Sequence, residues 1–218
     1  MGKVVAIDGP AGSGKGTVAK ILAGECNLTY IDTGAMYRAI AYSSLQNNID
    51  LSQEDKIVEL AKNSKIEFID GKTYLNGVDI SKEIRTMEVT RIVSPISSIV
   101  KLREILVDLQ REMGKNTENG VIMEGRDITT VVFPDATYKF YLDATLEERA
   151  NRRYKENIEK GMNVSLEEIK ENISKRDYND MHKEVGSLTR TEEQVYIDST
   201  NMTIEEVANK MIEVIEER

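Results

Sequence analysis

Short apolar runs recur along the chain, and segments with helical periodicity separate most of them. A short uninterrupted apolar run is typical of a strand that is buried on both faces, as in a parallel sheet. Five such runs predict five strands, at 4–7, 28–31, 121–123, 139–142 and 195–197. Strands that alternate with helices fold into layers joined by right-handed crossovers. The pattern therefore predicts an α/β three-layer sandwich around a five-stranded parallel sheet.

Capping residues mark where several of the helices begin. A Ser or Thr followed three positions later by Glu forms a capping box, and this spacing occurs at 145–148, 165–168 and 203–206. Ser94 with Pro95 behind it predicts the start of another helix, which runs to Met113, because Pro favours the first helical position. The predicted helices fall between predicted strands, as a layered fold requires.

The stretch at 65–80 departs from this alternation of strands and helices. The dipeptides Asp70-Gly71 and Asn76-Gly77 separate three short alternating runs, and such dipeptides are typical of two-residue hairpin turns. They predict a small antiparallel meander, which cannot join a parallel sheet without disrupting its strand order. We expect a single domain over 1–218, with an inserted lobe at about 35–100.

The composition restricts the classes of partner. The net charge is −9, and a surface that is negative overall repels nucleic-acid backbones and anionic membranes. We therefore expect neither a nucleic acid polymer nor a membrane as a partner. Cys26 is the single cysteine, which excludes an intramolecular disulfide and a cysteine metal cluster. No apolar stretch approaches the ~20 residues of a membrane span, so we expect a cytoplasmic protein without a dedicated metal site.

A glycine-rich loop stands between the first predicted strand and a helical pattern. Such a loop wraps an anion closely, because glycines allow positive φ angles, amide N–H groups point inward, and the helix N-terminus adds its positive dipole end. In this context the segment is a P-loop, whose Lys15 neutralises the β and γ oxygens of a nucleoside triphosphate. The predicted phosphate-binding residues are Gly9, Pro10, Ala11, Gly12, Ser13, Gly14, Lys15, Gly16 and Thr17.

Gly16 departs from the commonest P-loop pattern. It stands where a Ser or Thr usually follows the lysine, and the hydroxyl comes one position later, at Thr17. A direct hydroxyl ligand to Mg²⁺, of the kind that GTPases use, is therefore left open. The same order of lysine, glycine and threonine is found in nucleoside monophosphate kinases.

Arginines stand in three segments where a kinase would surround a transferring phosphoryl group. Two segments, 32–38 and 124–127, follow predicted strands, and 176–180 lies on a predicted helix. Ligands of open α/β sheets bind where parallel strands end, and the fork of an arginine donates two parallel hydrogen bonds to phosphate. The sequence has neither an Asn-Lys-x-Asp motif nor a Leu-Ser-Gly-Gly stretch. A small-molecule kinase is therefore favoured over a GTPase or a transport ATPase.

These motifs, in this order and at this spacing, resemble the bacterial cytidylate kinase family. The resemblance rests on the segments 7–17, 32–38, 125–127, 131–136, 176–180 and 196–200, and it extends from residue 4 to about residue 215. It implies a P-loop kinase with an inserted lobe that binds the nucleoside monophosphate, here 35–100, and with a helical lid at 148–164. It also implies transfer of the γ-phosphoryl group of ATP to CMP or dCMP, with Mg²⁺, in pyrimidine nucleotide metabolism.

The resemblance further implies which residues hold CMP. They are Thr33, Arg38 and Arg126 around the phosphate, Arg176 and Asp180 at the ribose, and Ser94, Arg103 and Asp127 at the cytosine. The exocyclic amine of cytosine donates to a carboxylate or a hydroxyl, whereas its ring nitrogen and carbonyl accept from arginine. Lys183 stands where the family often has an arginine. It keeps the charge but loses the fork, and we expect a phosphate contact there.

Arg149, Arg152 and Arg153 occupy neighbouring positions of one predicted helix face. One interpretation is ion pairing with nearby glutamates. The other is a mobile lid that closes over ATP on a hinge at 161–163 and excludes water. Because the acceptor phosphate is already ionised, we expect no general base, and catalysis by alignment and charge neutralisation. The predicted catalytic residues are Lys15, Arg126, Arg176, Arg149 and Arg153.

Two alternatives stay open on the sequence. A related kinase for UMP or AMP would keep the P-loop and the lid but change the base-reading residues. A regulatory P-loop protein would keep Lys15, lack the acceptor arginines, and bind ATP without consuming it. The sequence does not decide between CMP and dCMP. Neither a coiled coil nor a large apolar helix face demands a partner, so we expect a monomer.

Overall fold

The computed structural model describes residues 2–159 and 161–217, which form two compact units. One unit consists of the described residues up to Tyr30 and from Thr117 onward, and the other is Ile31–Asn116. The first carries most of the parallel sheet, and the second carries a small antiparallel sheet. Over the described ranges, every helix is too short or too polar to cross a membrane.

The strands that the structure describes form two sheets. In chain order they are β1 (Val4–Asp8), β2 (Thr29–Asp32), β3 (Ile66–Ile69), β4 (Lys72–Leu75), β5 (Val78–Asp79), β6 (Val121–Gly125), β7 (Tyr138–Asp143) and β8 (Val195–Asp198). The larger sheet has the order β2-β6-β1-β7-β8, which confirms the five strands predicted from the apolar runs. β1 pairs in parallel with β6 and β7, and Asp8 stands opposite Gly125 and Tyr141. The loops after β1 and β6 therefore leave the same edge of the sheet side by side.

The helices begin largely where capping residues predict. They are α1 (Lys15–Glu25), α2 (Thr33–Gln46), α3 (Glu54–Lys62), α4 (Met87–Ile96), α5 (Val100–Lys115), α6 (Leu146–Glu159), α7 (Leu166–Met181) and α8 (Ile204–Glu216). Both hydrogen bonds of the capping box are present at Ser165 and at Thr203. At the third predicted box, the Thr145 hydroxyl accepts from the Glu148 N–H at 3.3 Å. These caps satisfy N–H groups that a helix start leaves without a partner.

The core of the first unit lies between the parallel sheet and its helices. Ile7 of β1 packs in one cluster with Leu22 of α1 and Met211 of α8, and all three are fully buried. Burying a side chain of this size stabilises the fold by about 2 kcal/mol. A smaller cluster around Ala150 and Ile173 joins α6 to α7.

In the second unit, β3, β4 and β5 form the antiparallel meander predicted at 65–80. The central residues of both turns have positive φ: 51° and 74° at Asp70 and Gly71, and 51° and 81° at Asn76 and Gly77. Such φ values define type I′ turns, whose twist matches that of the strands they join. The antiparallel pairing confirms the prediction of a meander. The sequence predicts it correctly because Asp, Asn and Gly tolerate the left-handed region that these turns require.

Ser94 and Pro95 do not begin a helix, and this prediction is wrong. α4 begins earlier, where the Thr86 side chain accepts from a main-chain N–H of the first turn at 3.4 Å. Pro95 lies in the last turn of α4, where its missing N–H removes a single helical hydrogen bond. The buried Val93 keeps this turn against the core, and α5 begins only at Val100. Packing of the apolar face therefore outweighs the local Ser-Pro signal.

Candidate functional site

The loop that joins β1 to α1 has a shape that requires glycine. A Cβ on Gly9, whose φ is 153°, would lie 2.0 Å from the carbonyl oxygen of Leu142 on β7. Gly14, with φ 92°, is the N-cap of α1, and its carbonyl accepts from the N–H groups of Thr17 and Val18 at 3.1 Å. The positive end of the helix dipole and the N–H groups of the first turn therefore lie at this loop. Such an arrangement binds a phosphate.

Lys15, the first residue of α1, is buried in the loop. Its ammonium donates to the Pro10 carbonyl oxygen at 2.7 Å and to the Ser13 hydroxyl at 3.2 Å. The pKa of Lys15 is lowered to about 7, first because burial penalises its charge and then because the positive Arg126 lies nearby; Glu124 acts in the opposite direction. A polyphosphate would stabilise the charged ammonium, so the loop favours an anionic ligand.

Glu124, at the carboxyl end of β6, lies against the start of α1. A Cβ on Gly16 would be 3.3 Å from Glu124 Oε1 and 3.4 Å from the Tyr30 hydroxyl. Gly16 thus leaves room for a carboxylate beside the phosphate loop, which is a physical reason for the order lysine, glycine and threonine. Glu124 is not among the predicted site residues, although an acidic residue at the end of a buried strand is a recognisable signal.

Three predicted basic residues converge on Asp180. Its Oδ2 lies 2.8 Å from Arg126 Nε and 3.9 Å from Arg176 Nε, and its Oδ1 lies 2.8 Å from Lys183 Nζ. Burial would raise the pKa of Asp180, but the positive charges around it more than offset this and hold the pKa well below its usual range. Burial, and then the charge of Arg126, lowers the pKa of Arg176 to about 10. A phosphate close to these two arginines would therefore be stabilised.

Asp8, the last residue of β1, fixes the turn that follows the predicted base-reading Asp127. Its Oδ1 accepts from the Ile128 N–H at 2.8 Å, and its Oδ2 accepts from the N–H and the hydroxyl of Thr129 at 2.8 and 2.6 Å. Burial raises the pKa of Asp8 to about 6 in spite of these hydrogen bonds. Gln194 donates to the same hydroxyl at 2.5 Å. The turn is therefore held from two sides, by Asp8 and Gln194, neither of which is among the predicted site residues.

The three arginines of the predicted lid have different surroundings. Arg149 is buried and pairs with Asp177 of α7 at 2.6 Å. Arg152 and Arg153 each pair with a glutamate of their own helix, at 3.0 and 3.1 Å. The expected ion pairing with glutamates is thus present for these two. Arg153 is 41% exposed, and its charge contributes to the lowered pKa of Arg176.

In the second unit, the predicted phosphate ligands Thr33 and Arg38 lie on α2. The carboxylate of Asp32 caps this helix by accepting from a main-chain N–H of the first turn at 2.9 Å. Arg38 is buried and donates to the Ile84 carbonyl oxygen at 3.3 Å and to the Thr90 hydroxyl at 3.0 Å. These two contacts help to fix the orientation of the guanidinium.

Arg103 and Ser94 are the other two predicted site residues of the second unit, and both have buried polar atoms. Arg103 on α5 donates to the Ser97 carbonyl oxygen at 2.9 Å, and its guanidinium carbon lies 5.4 Å from the centre of the Tyr37 ring. The Ser94 hydroxyl has no hydrogen-bond partner in the part of the chain that the structure describes. Leaving a buried hydroxyl without a partner costs about 1–3 kcal/mol, so a ligand that pairs with it would be favoured.

The similarity to known proteins extends over nearly the whole chain. A profile of the family described as cytidylate kinase matches residues 5–217. The chain is 48% identical over 212 residues to a cytidylate kinase of Clostridioides difficile (strain 630), with 97% of each chain covered. It is 47% identical over 218 residues to one of Bacillus subtilis (strain 168), which covers 98% of this chain and 96% of the relative.

A solved structure of shikimate kinase from Acinetobacter baumannii, in complex with shikimate, shares the fold with a TM-score of 0.50. It covers 100% of this chain and 94% of the other at 14% identity, so it supports the fold alone. The α/β fold predicted from the sequence is that of P-loop kinases. The family profile and the two bacterial relatives go further, and they show that the chain belongs to the cytidylate kinase family.

Proposed function

We propose that this chain transfers the γ-phosphoryl group of ATP to CMP or dCMP and releases ADP with CDP or dCDP, in pyrimidine nucleotide metabolism. The observation that carries the proposal is that the phosphate loop and Arg126 follow neighbouring strands at one edge of the sheet, where Asp8 stands opposite Gly125. A donor loop and a phosphate-binding arginine at one edge suit phosphoryl transfer. The choice of acceptor follows the two bacterial relatives, which carry the name cytidylate kinase.

ATP is the phosphoryl donor, and the loop at 9–17 would hold its phosphates. The N–H groups at the start of α1 would bind the phosphate oxygens. Lys15 would exchange the Pro10 carbonyl and the Ser13 hydroxyl for the β and γ oxygens of ATP. Because those oxygens are negative, the exchange would restore the charge that burial disfavours on Lys15.

The residues beside the phosphate loop fit a Mg²⁺ ion that keeps most of its waters. Such ions are usually bound by substrate phosphates and by one or two carboxylates. Within 2–159 and 161–217, no group of three or more His, Cys, Asp or Glu side chains could hold a metal ion alone. Glu124 does bring one carboxylate next to residue 16. We therefore propose that Glu124 faces a Mg²⁺ ion carried by ATP, which would neutralise charge on the phosphates.

The residues proposed to bind CMP combine hydroxyl, carboxylate and basic side chains. They are Thr33, Arg38, Ser94, Arg103, Arg126, Asp127, Arg176, Asp180 and Lys183. The buried Ser94 hydroxyl supports a base contact, since a base would supply its missing partner. Asp127 is 5% exposed on a fixed turn, and its carboxylate would accept from the cytosine amine. Uracil presents an acceptor instead, so it would bind about 1–3 kcal/mol less favourably.

Catalysis would rest on alignment and charge neutralisation. The acceptor phosphate is already ionised, so the protein needs no strong general base. Lys15, Arg126 and Arg176 would stabilise the charge that spreads over the transferring group, together with Arg153 of the proposed lid at 148–164. Gly161 has φ 72°, a conformation that glycine adopts at little cost, and this supports a hinge at that end of the lid.

We also propose that the chain acts as a monomer in the cytoplasm, where both nucleotides are found. The acidic net charge of −9 supports small nucleotides rather than a nucleic acid polymer as partners. Selectivity between CMP and dCMP would depend on how Arg176 and Asp180 meet one ribose hydroxyl. Light scattering coupled to gel filtration tests the oligomeric state directly.

The test of the function is ADP release in a coupled assay with ATP, Mg²⁺ and one of CMP, dCMP, UMP, AMP or GMP. CMP and dCMP should turn over fastest, and UMP should be slower by about tenfold to a hundredfold. Asp127→Asn keeps the shape of the side chain but can donate as well as accept, so it should narrow the preference for CMP over UMP. Turnover with UMP or AMP alone would refute the base-reading assignments. Binding of ATP without turnover on any acceptor would favour a regulatory protein.

A further inference from the structure

A closed ring of hydrogen bonds joins the phosphate loop to α6 and α7. Asp177 Oδ1 accepts from the Ala11 N–H at 3.1 Å, and Asp177 Oδ2 accepts from Arg149 Nη1 at 2.6 Å. The same Nη1 donates to the Ala11 carbonyl oxygen at 2.8 Å. We call these three residues, Ala11, Asp177 and Arg149, the loop clamp.

The loop clamp is buried and tightly packed. The side chains of Arg149 and Asp177 are 8% and 9% exposed. Arg149 Nε is also engaged, because it donates to the Ala144 carbonyl oxygen at 2.9 Å. A Cβ on Gly12 would lie 3.2 Å from Arg149 Cβ and 3.3 Å from the Arg149 carbonyl oxygen, so α6 leaves no room for a side chain at this position of the loop. Removing one partner of a buried ion pair leaves the other charge without compensation, so these residues depend on one another.

Asp177 lies on α7 next to residues that are proposed to bind the acceptor. Asp177 follows Arg176 directly and precedes Asp180 by three positions, and both of these neighbours belong to the cluster around Arg126. The Ala11 N–H is used within the protein, as a contact to α7. The loop clamp therefore connects the loop that would hold ATP to the helix that carries acceptor-side groups.

We propose that Asp177 is a positioning residue for phosphoryl transfer, which holds α7 in register with the phosphate loop through Ala11 and Arg149. The inference rests on the proposed function, because it assigns the donor phosphates to the loop and the acceptor to Arg176 and Asp180. It also changes the role expected for Arg149 from the sequence. Its charge is matched by Asp177, and it acts on the loop rather than on a phosphate.

Steady-state kinetics of Asp177→Asn test this role. Asparagine keeps the size of the side chain and an acceptor for the Ala11 N–H, but it removes the charge that faces Arg149. We expect kcat to fall by about tenfold to a hundredfold, with changes below about threefold in KM for ATP and CMP, because the groups that contact substrate are unaltered. Arg149→Gln should lose a similar factor. The double variant should lose no more than either single variant, as expected for residues that act as one unit.

Glu147→Gln is the matched control. Glu147 of α6 pairs with Lys170 of α7 at the surface, so the variant removes another ion pair between the same helices without contact to the loop. Its kcat should stay within about twofold of the wild type. If Arg149 instead contacts a phosphate, Asp177→Asn should leave kcat unchanged or raise it, whereas Arg149→Gln should nearly abolish turnover. Such unequal losses would overturn the proposal.

The same assay separates failure of this inference from failure of the proposed function. Wild-type protein without turnover on CMP contradicts the proposed function, whereas wild-type turnover with an unchanged kcat in Asp177→Asn contradicts only the inference. Thermal melting followed by circular dichroism establishes that each variant is folded at the assay temperature. If Asp177→Asn is unfolded, Arg149→Lys is measured in its place. Lysine keeps the charge, but it cannot reach the Asp177 carboxylate and the carbonyls of Ala11 and Ala144 together. The kcat of this variant should fall about tenfold, and an unchanged kcat overturns the inference.

Discussion

Binding of ATP should be accompanied by proton uptake at Lys15. The pKa of this ammonium is lowered to about 7 by burial and by Arg126. A lysine with this pKa is about half charged at pH 7 and about one-tenth charged at pH 8. The phosphates of ATP would restore the full charge, so binding should take up about 0.5 proton at pH 7 and about 0.9 at pH 8.

The direction of the pH dependence follows from the same proton. Because the bound state holds more protons than the free state, the dissociation constant for ATP should rise with pH above about 7, by close to tenfold per unit at pH 8. Below about pH 6, Lys15 is charged in both states, so it no longer contributes to the pH dependence of the dissociation constant. An unperturbed lysine would produce this rise only above about pH 10.

Isothermal titration calorimetry without CMP measures the proton directly. The observed binding enthalpy is plotted against the ionisation enthalpy of several buffers at pH 8, where the phosphates of ATP are already ionised, and the slope gives the number of protons taken up. Lys15→Arg is the control, since arginine keeps its charge at this pH and its slope should be close to zero. A wild-type slope near zero would refute the reasoning. Equal slopes for both proteins would assign the proton to another group.

Three other substitutions probe neighbouring parts of the structure. Gly16→Ala would bring a methyl group to 3.3 Å from Glu124 Oε1. The value of kcat/KM for ATP should fall about fivefold, or about 1 kcal/mol, and the dependence of turnover on the Mg²⁺ concentration should change. An unchanged dependence on Mg²⁺ would contradict the proposed place of Glu124. Asp8→Asn removes an acceptor that Thr129 uses twice; KM for CMP should rise about tenfold and KM for ATP less, and the reverse order would show that this turn does not serve the acceptor. Gly77→Ala alters a residue with φ 81° and open space around it; urea unfolding should show a loss of about 1 kcal/mol with kcat unchanged, and equal stability would mean that the turn does not need glycine.

The fold could be predicted wherever a local pattern determines the backbone. The central strands β1, β6 and β7 are largely buried on both faces, so they appear as apolar runs, and the turns of the meander need residues that adopt positive φ. The start of α4 could not be predicted from Ser94 and Pro95. There the packing of Val93 extends the helix through the proline, and packing against distant residues leaves no local signal.

In the candidate site, too, local motifs can be predicted from the sequence, whereas contacts between distant residues cannot. The phosphate loop and the arginine motifs are contiguous segments, so the sequence identifies them. Asp8 and Asp177 act across the chain, through contacts with residues 121 and 166 positions away. Neither periodicity nor spacing indicates which distant backbone groups a carboxylate will accept from. Asp8 and Asp177 lie in segments that the sequence identifies, but their part in positioning the site emerges only from the structure, whereas the residues expected to contact phosphate are visible in motifs.

The carboxylates of the first unit explain how an acidic chain can hold a cluster of cations. Asp180 lies between Arg126 and Lys183, and Asp177 faces Arg149. Without these carboxylates the buried cations would repel one another and lose hydration with no compensation. With them, each basic group is oriented before a phosphate arrives, and little reorganisation is needed as charge develops during transfer. Because part of the positive charge is already matched, the arrangement favours precise orientation of the phosphates over tight binding of them.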